Sequence, residues 1–192
     1  MTKVKICGIR TEEEIDIVNE YKPDYIGFIF VEGRRRFITL EKAKELKSHL
    51  SGDIKAVGVF LDAPIEKVLE AARSGAIDMI QLHGHEDSNY VKEIKKNVDM
   101  PIIKAYNSFE CADYALFDNP NPGLGYGFDW DKIESNGMKY FIAGGISSDN
   151  VLEALKRNPY AVDASSSLEG PDGFKDREKI KEFIRLVKNY EG

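Results

Sequence analysis

The chain has 192 residues, 42% of them hydrophobic and 31% charged, which suits one domain with a substantial core and leaves two domains strained for length. Its net charge of -6 and pI near 5.2 argue against nucleic acid as a partner, so any phosphate site must be local, built from backbone N–H groups and one or two arginines. Two cysteines form no C-x-x-C pair, Met1–Arg10 lacks a signal peptide's apolar core, and no apolar run approaches the ~18 residues of a membrane span, so a cytoplasmic protein without metal or membrane partner is expected.

Strand and helix patterns alternate along the chain. Lys3–Gly8 is predicted as a strand with Val4 and Ile6 on one face, and Thr11–Tyr21 as a helix opened by a capping box of Thr11 and Glu14. Asp24–Val31 is a near-continuous apolar run, as a buried parallel strand requires. Leu40–Leu50 has helical spacing, Lys55–Leu61 is a third strand, and Pro64–Ser74 is a helix with proline near its start and Gly75 past its end. Met79–Leu82, Pro101–Ala105 and Tyr114–Asp118 are strands; Asp87–Lys96 is a helix and Phe109–Ala112 a short helical turn. Asp129–Glu134 has room for one or two helical turns, then come strand Lys139–Ala143, helix Ser148–Lys156, strand Ala161–Asp163 and helix Asp176–Asn189. Eight βα units imply parallel pairing and closure into a (β/α)8 TIM barrel of the α/β class, one catalytic domain over residues 1–192. A doubly wound sheet is the alternative, but Cys7-Gly8-Ile9-Arg10 is no dinucleotide-binding turn.

In such a barrel, reactive groups sit at the C-terminal ends of strands. With Val4 and Ile6 toward the helices, Lys5 and Cys7 share the inner face. A lysine there needs an anionic partner, and its charge favours a thiolate at Cys7 able to act as base or nucleophile. A plain buried cysteine is the competing reading. Asp118 ends strand six, where a half-buried carboxyl can serve as an acid, or simply form a turn before Asn119-Pro120. One of Arg34, Arg35 and Arg36 is placed to grip a carboxylate or phosphate. His83 ends strand four and could touch a substrate or position an acid. Gly144-Gly145 after strand seven and Ser165-Ser166-Ser167 after strand eight form a candidate phosphate site. Asn119–Gly127, rich in proline and glycine, reads as an active-site loop.

Together these residues resemble the phosphoribosylanthranilate isomerase family. The likeness runs through Lys3–Ile9, Gly27-Phe28 to Phe37, Val57–Phe60, Gln81–Gly84, Asp118, the Gly123, Gly125, Phe128, Asp129, Trp130 stretch, Ala143–Ile146, Asn150-Val151, Val162–Ser166 and Gly173–Asp176. The resemblance implies an Amadori rearrangement in tryptophan biosynthesis, with no cofactor. Asp118 would protonate the ribose ring oxygen and Cys7 would remove the C2 proton. Arg36 would bind the anthranilate carboxylate with His83 and Asp163 nearby, and Gly144, Gly145, Ser165 and Ser166 would hold the phosphate. The expected partner is a phosphorylated small molecule, bound by a monomer or homodimer. Two features depart from the family: Ser167 replaces its usual glycine, a strain on phosphate binding if that backbone needs φ > 0, and the loop after Asp118 is short. A related isomerase for another phosphoribosyl compound and a catalytically silent barrel are the alternatives. Cys7 disfavours the first, and retention of both Cys7 and Asp118 the second.

Overall fold

The computed structural model describes residues 1–106, 109–118, 130, 133 and 136–191. Eight strands pair in parallel, each with the next, and β8 returns to β1 to close a barrel. They are β1 (Lys3–Cys7), β2 (Tyr25–Ile29), β3 (Lys55–Phe60), β4 (Met79–Leu82), β5 (Ile102–Ala105), β6 (Tyr114–Phe117), β7 (Tyr140–Ile142) and β8 (Ala161–Ala164). The described helices are α1 (Glu12–Tyr21), α2 (Leu40–His49), α3 (Ile65–Arg73), α4 (Ser88–Asn97), α5 (Val151–Leu155) and α6 (Arg177–Lys188). Among the described residues between β5 and β6 the chain makes a 3-10 turn, Phe109–Cys111, where the sequence pattern was short. Most of the connection between β6 and β7, with the expected loop Asn119–Gly127, motif residues Gly123, Gly125, Phe128 and Asp129, and most of the expected turns at 129–134, lies outside the described residues.

The period-two alternation of the strands divides the core. Val4, Ile6, Ile26, Phe28, Ile80, Leu82, Ile142 and Val162 pack outward against the helices. Tyr25, Val57, Met79, Ile103, Leu116, Phe141 and Ala161 fill the barrel. Helix starts follow side-chain chemistry. Thr11 and Glu14 make the expected capping box, and Asp87 and Asp176 accept from the backbone three residues on. Among the described residues, no helix is long and apolar enough to cross a membrane.

The N-terminal end of the barrel is plugged by aromatic rings. Tyr114 stacks at a tilt on Tyr160 with centroids 4.9 Å apart, Phe141 touches Tyr25, Tyr114 and Tyr160, and the Tyr25 and Tyr160 hydroxyls lie 3.0 Å apart. The Lys3 ammonium sits 5.4 Å from the Tyr25 centroid, over the outer face of the plug. Phe141, fully buried, is its inner layer. Phe141→Ala is expected to cost about 3–5 kcal/mol, because the rings around it cannot collapse into the cavity. A urea titration checks this: the midpoint should fall while the m-value stays constant.

Candidate active site

At the opposite end, β1 delivers Lys5 and Cys7 into the barrel, as the alternation of Val4 and Ile6 requires. Lys5 is fully buried, and its register partner on β8 is Asp163. Lys5 Nζ donates to Asp163 Oδ2 at 2.6 Å, so the anionic partner that the buried lysine needs is another side chain of the same barrel. Burial opposes the Lys5 charge, but Asp163 and Cys7 overcome it and hold the ammonium above its ordinary value. Asp163 is pushed up by burial more than Lys5 pulls it down, and the Asp118 carboxylate raises it further. Its second oxygen, Oδ1, is buried without a hydrogen-bond partner among the described residues.

Cys7 corrects the expectation of a thiolate favoured by Lys5. Burial pushes the thiol up; Lys5 and Lys175 pull it down, Asp163 opposes them, and burial wins. The thiol is therefore the resting form. Its sulfur occupies space that β2 leaves open at Gly27, where a Cβ would come within 2.6 Å of Sγ.

A second group gathers across the mouth on β4, β5 and β6. His83 Nε2 lies 3.1 Å from Asp118 Oδ2 and 3.1 Å from the Tyr106 hydroxyl, and its Nδ1 lies 3.0 Å from the Gln81 amide nitrogen. If the Gln81 amide nitrogen donates to Nδ1, the neutral ring carries its proton on Nε2, toward Asp118 and Tyr106. Tyr106 meets the His83 ring edge-on and holds a left-handed backbone at φ 69°. Burial and the Asp118 carboxylate push its phenol up to about 12, so it stays protonated.

Of the three arginines after β2, Arg36 is the most enclosed, with 20% of its side chain exposed against 56% for Arg35. Both grip Glu169, a buried carboxylate in the loop after β8: Arg36 Nε takes Oε1, while Arg36 Nη2 at 3.1 Å and Arg35 Nη2 take Oε2. Lys175, also buried, donates to the Ser165 carbonyl at 3.0 Å and approaches Glu169 Oε1 at 3.4 Å. Burial alone would raise the Glu169 carboxyl, but these cations hold it down to about 2.

The β7 and β8 loops lie side by side. Gly144 and Gly145 both have left-handed backbones, at φ 79° and 81°. Ser165 donates to the Cys7 carbonyl at 3.0 Å, and exposed Ser166 opens a 3-10 turn, Ser166–Leu168. The concern over Ser167 is not realised in its backbone, which is not among those with positive φ. Its hydroxyl donates to the Ile146 carbonyl at 2.5 Å and ties the two loops together. Among the described residues, no three His, Cys, Asp or Glu side chains are grouped to hold a metal ion.

The profile of the family described as N-(5'phosphoribosyl)anthranilate (PRA) isomerase matches residues 4–186. The chain belongs to this family. It is 38% identical to the N-(5'-phosphoribosyl)anthranilate isomerase of Endomicrobium trichonymphae, over 98% of this chain and 100% of that protein. It is 40% identical to that of Clostridium acetobutylicum, over 99% and 100%. Among solved structures, the Thermus thermophilus phosphoribosyl anthranilate isomerase superposes with a TM-score of 0.88 at 30% identity, covering 98% of this chain and 100% of that one. A phosphoribosyl anthranilate isomerase in complex with reduced 1-(o-carboxyphenylamino)-1-deoxyribulose 5-phosphate superposes at 0.82 and 29% identity, over 99% and 100%.

In this PRA isomerase barrel, the residues singled out from sequence fall into separate groups at one rim. Lys5, Cys7 and Asp163 cluster at β1 and β8, and His83 joins Asp118 rather than Arg36. Gln81, Tyr106, Glu169 and Lys175 belong to these groups as well; Gln81 and Lys175 fall within motifs of the resemblance but were given no role, and Tyr106 and Glu169 escaped the sequence reading. Gln81 carried a usable signal, lying between Met79 and His83 on the inward face of β4, where a polar residue needs a partner. A glutamate in a polar loop carried none.

Proposed function

We propose that this chain converts N-(5-phosphoribosyl)anthranilate to 1-(2-carboxyphenylamino)-1-deoxyribulose 5-phosphate, an Amadori rearrangement in L-tryptophan biosynthesis. It works in the cytoplasm, as one barrel domain, without a cofactor, metal, nucleic-acid or membrane partner. The observation that carries the reading is the pair Cys7 and Asp118, at the rims of β1 and β6, in a chain whose family match spans residues 4–186.

Asp118, in its protonated form, gives its proton to the ribose ring oxygen as the C1–O bond breaks, and the anilino nitrogen's lone pair forms the Schiff base. Cys7, as the thiolate that Lys5 and Lys175 favour against burial, takes the C2 proton and becomes the thiol; the C–H electrons form the enolamine, which tautomerises to the ketone. An acid and a base on different walls of the pocket suit this sequence. His83 holds one oxygen of Asp118. Lys5 and Lys175 offset part of the burial cost of a Cys7 thiolate. Arg36 takes the anthranilate carboxylate, with Asp163 and His83 lining the pocket between the reacting groups. Gly144, Gly145, Ser165 and Ser166 take the phosphate. The test is a fluorescence assay of purified protein with freshly generated substrate. Loss of the anthranilate signal at an enzyme-dependent rate is expected, and a flat trace would sink the assignment.

A further inference from the structure

We infer that Glu169 is a positioning residue that fixes how Arg36 is presented to the substrate's ring carboxylate, an inference that rests on the function proposed above. A carboxylate with 5% of its side chain exposed faces three cations, Arg35, Arg36 and Lys175. That leaves a local surplus of positive charge one strand away from Cys7, suited to a second carboxylate brought by a ligand. Glu169 occupies one whole edge of Arg36, the Nε–Nη2 side, and leaves Nη1 without a partner among the described residues. The aliphatic stem of Arg36 lies across Gly8, at the end of β1, so closely that a Cβ there would collide with Cδ. Gly8 also holds φ 86°, so this close crossing is open only to glycine. Stem and edge together leave the guanidinium one way to meet a carboxylate, end-on through Nη1.

Glu169 is itself held in place. Its backbone bridges to Lys175, Gly170 N–H donates to Phe174 at 2.8 Å, and the Lys179 ammonium donates to the Glu169 carbonyl at 2.7 Å. Swinging Glu169 aside to free Arg36 would also break its contacts with Arg35 and Lys175. That distinguishes a positioning group from a competitor for the substrate's place.

The test compares wild type, Glu169→Gln and Glu169→Asp with two probes. One is reduced 1-(o-carboxyphenylamino)-1-deoxyribulose 5-phosphate and the other its counterpart lacking the ring carboxylate. Glu169→Gln should weaken the carboxylated probe by about tenfold or more and leave the other nearly unchanged, since only the former uses Arg36. KM should rise while kcat moves little, and Glu169→Asp, which keeps the charge, should recover part of the loss. Equal weakening of both probes would make Glu169 merely structural, tighter binding would make it a competitor, and no change would remove it from the site; each overturns the inference. If Glu169→Gln does not fold, the same carboxylate-selective loss, smaller, must be present in Glu169→Asp. A wild type that binds neither probe and turns over no substrate sinks the proposed function instead.

Discussion

Cys7→Ala is expected to lower kcat by about 10²–10⁴-fold, the usual worth of a positioned acid or base, while binding of the reduced product analogue persists. Alanine removes the group that takes the C2 proton and is smaller than the thiol it replaces beside Gly27, so it introduces no clash. Asp118→Asn should cost a similar factor. The amide oxygen can still accept from His83 Nε2, so the geometry survives while the transferable proton is gone. Single-turnover fluorescence with each variant measures this directly. A Cys7→Ala enzyme at more than about a tenth of the wild-type rate would assign the base to another group. The double variant should be little worse than either single one, because the two groups act on one reaction coordinate.

Lys5→Met should lose about 3–5 kcal/mol of stability at neutral pH, because it leaves the Asp163 carboxylate buried without its partner at 2.6 Å. The loss should shrink on acidification. Asp163 is held above its ordinary value of 3.8 in the folded protein, and removal of Lys5 takes away the principal group lowering it. A carboxyl raised by folding binds more protons in the native state. Its favourable contribution is full below 3.8 and is lost as pH rises through the raised value. Urea unfolding of Lys5→Met at several pH values, beside Lys5→Met/Asp163→Asn, reads this out. The double variant should regain much of the neutral-pH loss. A pH-independent deficit, equal in both variants, would place the damage in packing rather than charge.

The barrel was legible because its strands are buried on both faces. Asp24–Val31 read as a near-continuous apolar run and Lys55–Leu61 as a strand, found as Tyr25–Ile29 and Lys55–Phe60, and turns and caps such as Gly75 and Thr11–Glu14 punctuate what lies between. The short helical turn expected at Phe109–Ala112 is there too, as the 3-10 turn Phe109–Cys111. The inward direction of Lys5 and Cys7 followed from two-residue periodicity alone. What periodicity could not weigh was burial against charge. Lys5 beside Cys7 predicts a lowered thiol, yet the desolvation that raises it depends on every strand around the barrel. Tyr106 escaped because its role depends on a left-handed backbone no motif announces, and Glu169 because two of its three cations, Arg35 and Arg36, lie 134 and 133 positions away in the chain.

The seam between β1 and β8 sets when this site can exist. Lys5 and Asp163 are 158 positions apart, as are Ser165 and Cys7, and Glu14 accepts from the Lys175 backbone across 161. During synthesis at ~5–20 residues per second, β1 through β7 emerge before any of these contacts can form. Until β8 arrives, Lys5 faces the future barrel interior with no counter-charge, which discourages premature closure of the earlier strands. Closing so long a loop is entropically slow, and the contacts that reward it include those lining the pocket as well as the apolar packing of Val162 and Phe183. Catalytic competence and completion of folding should therefore appear together, in one late kinetic phase.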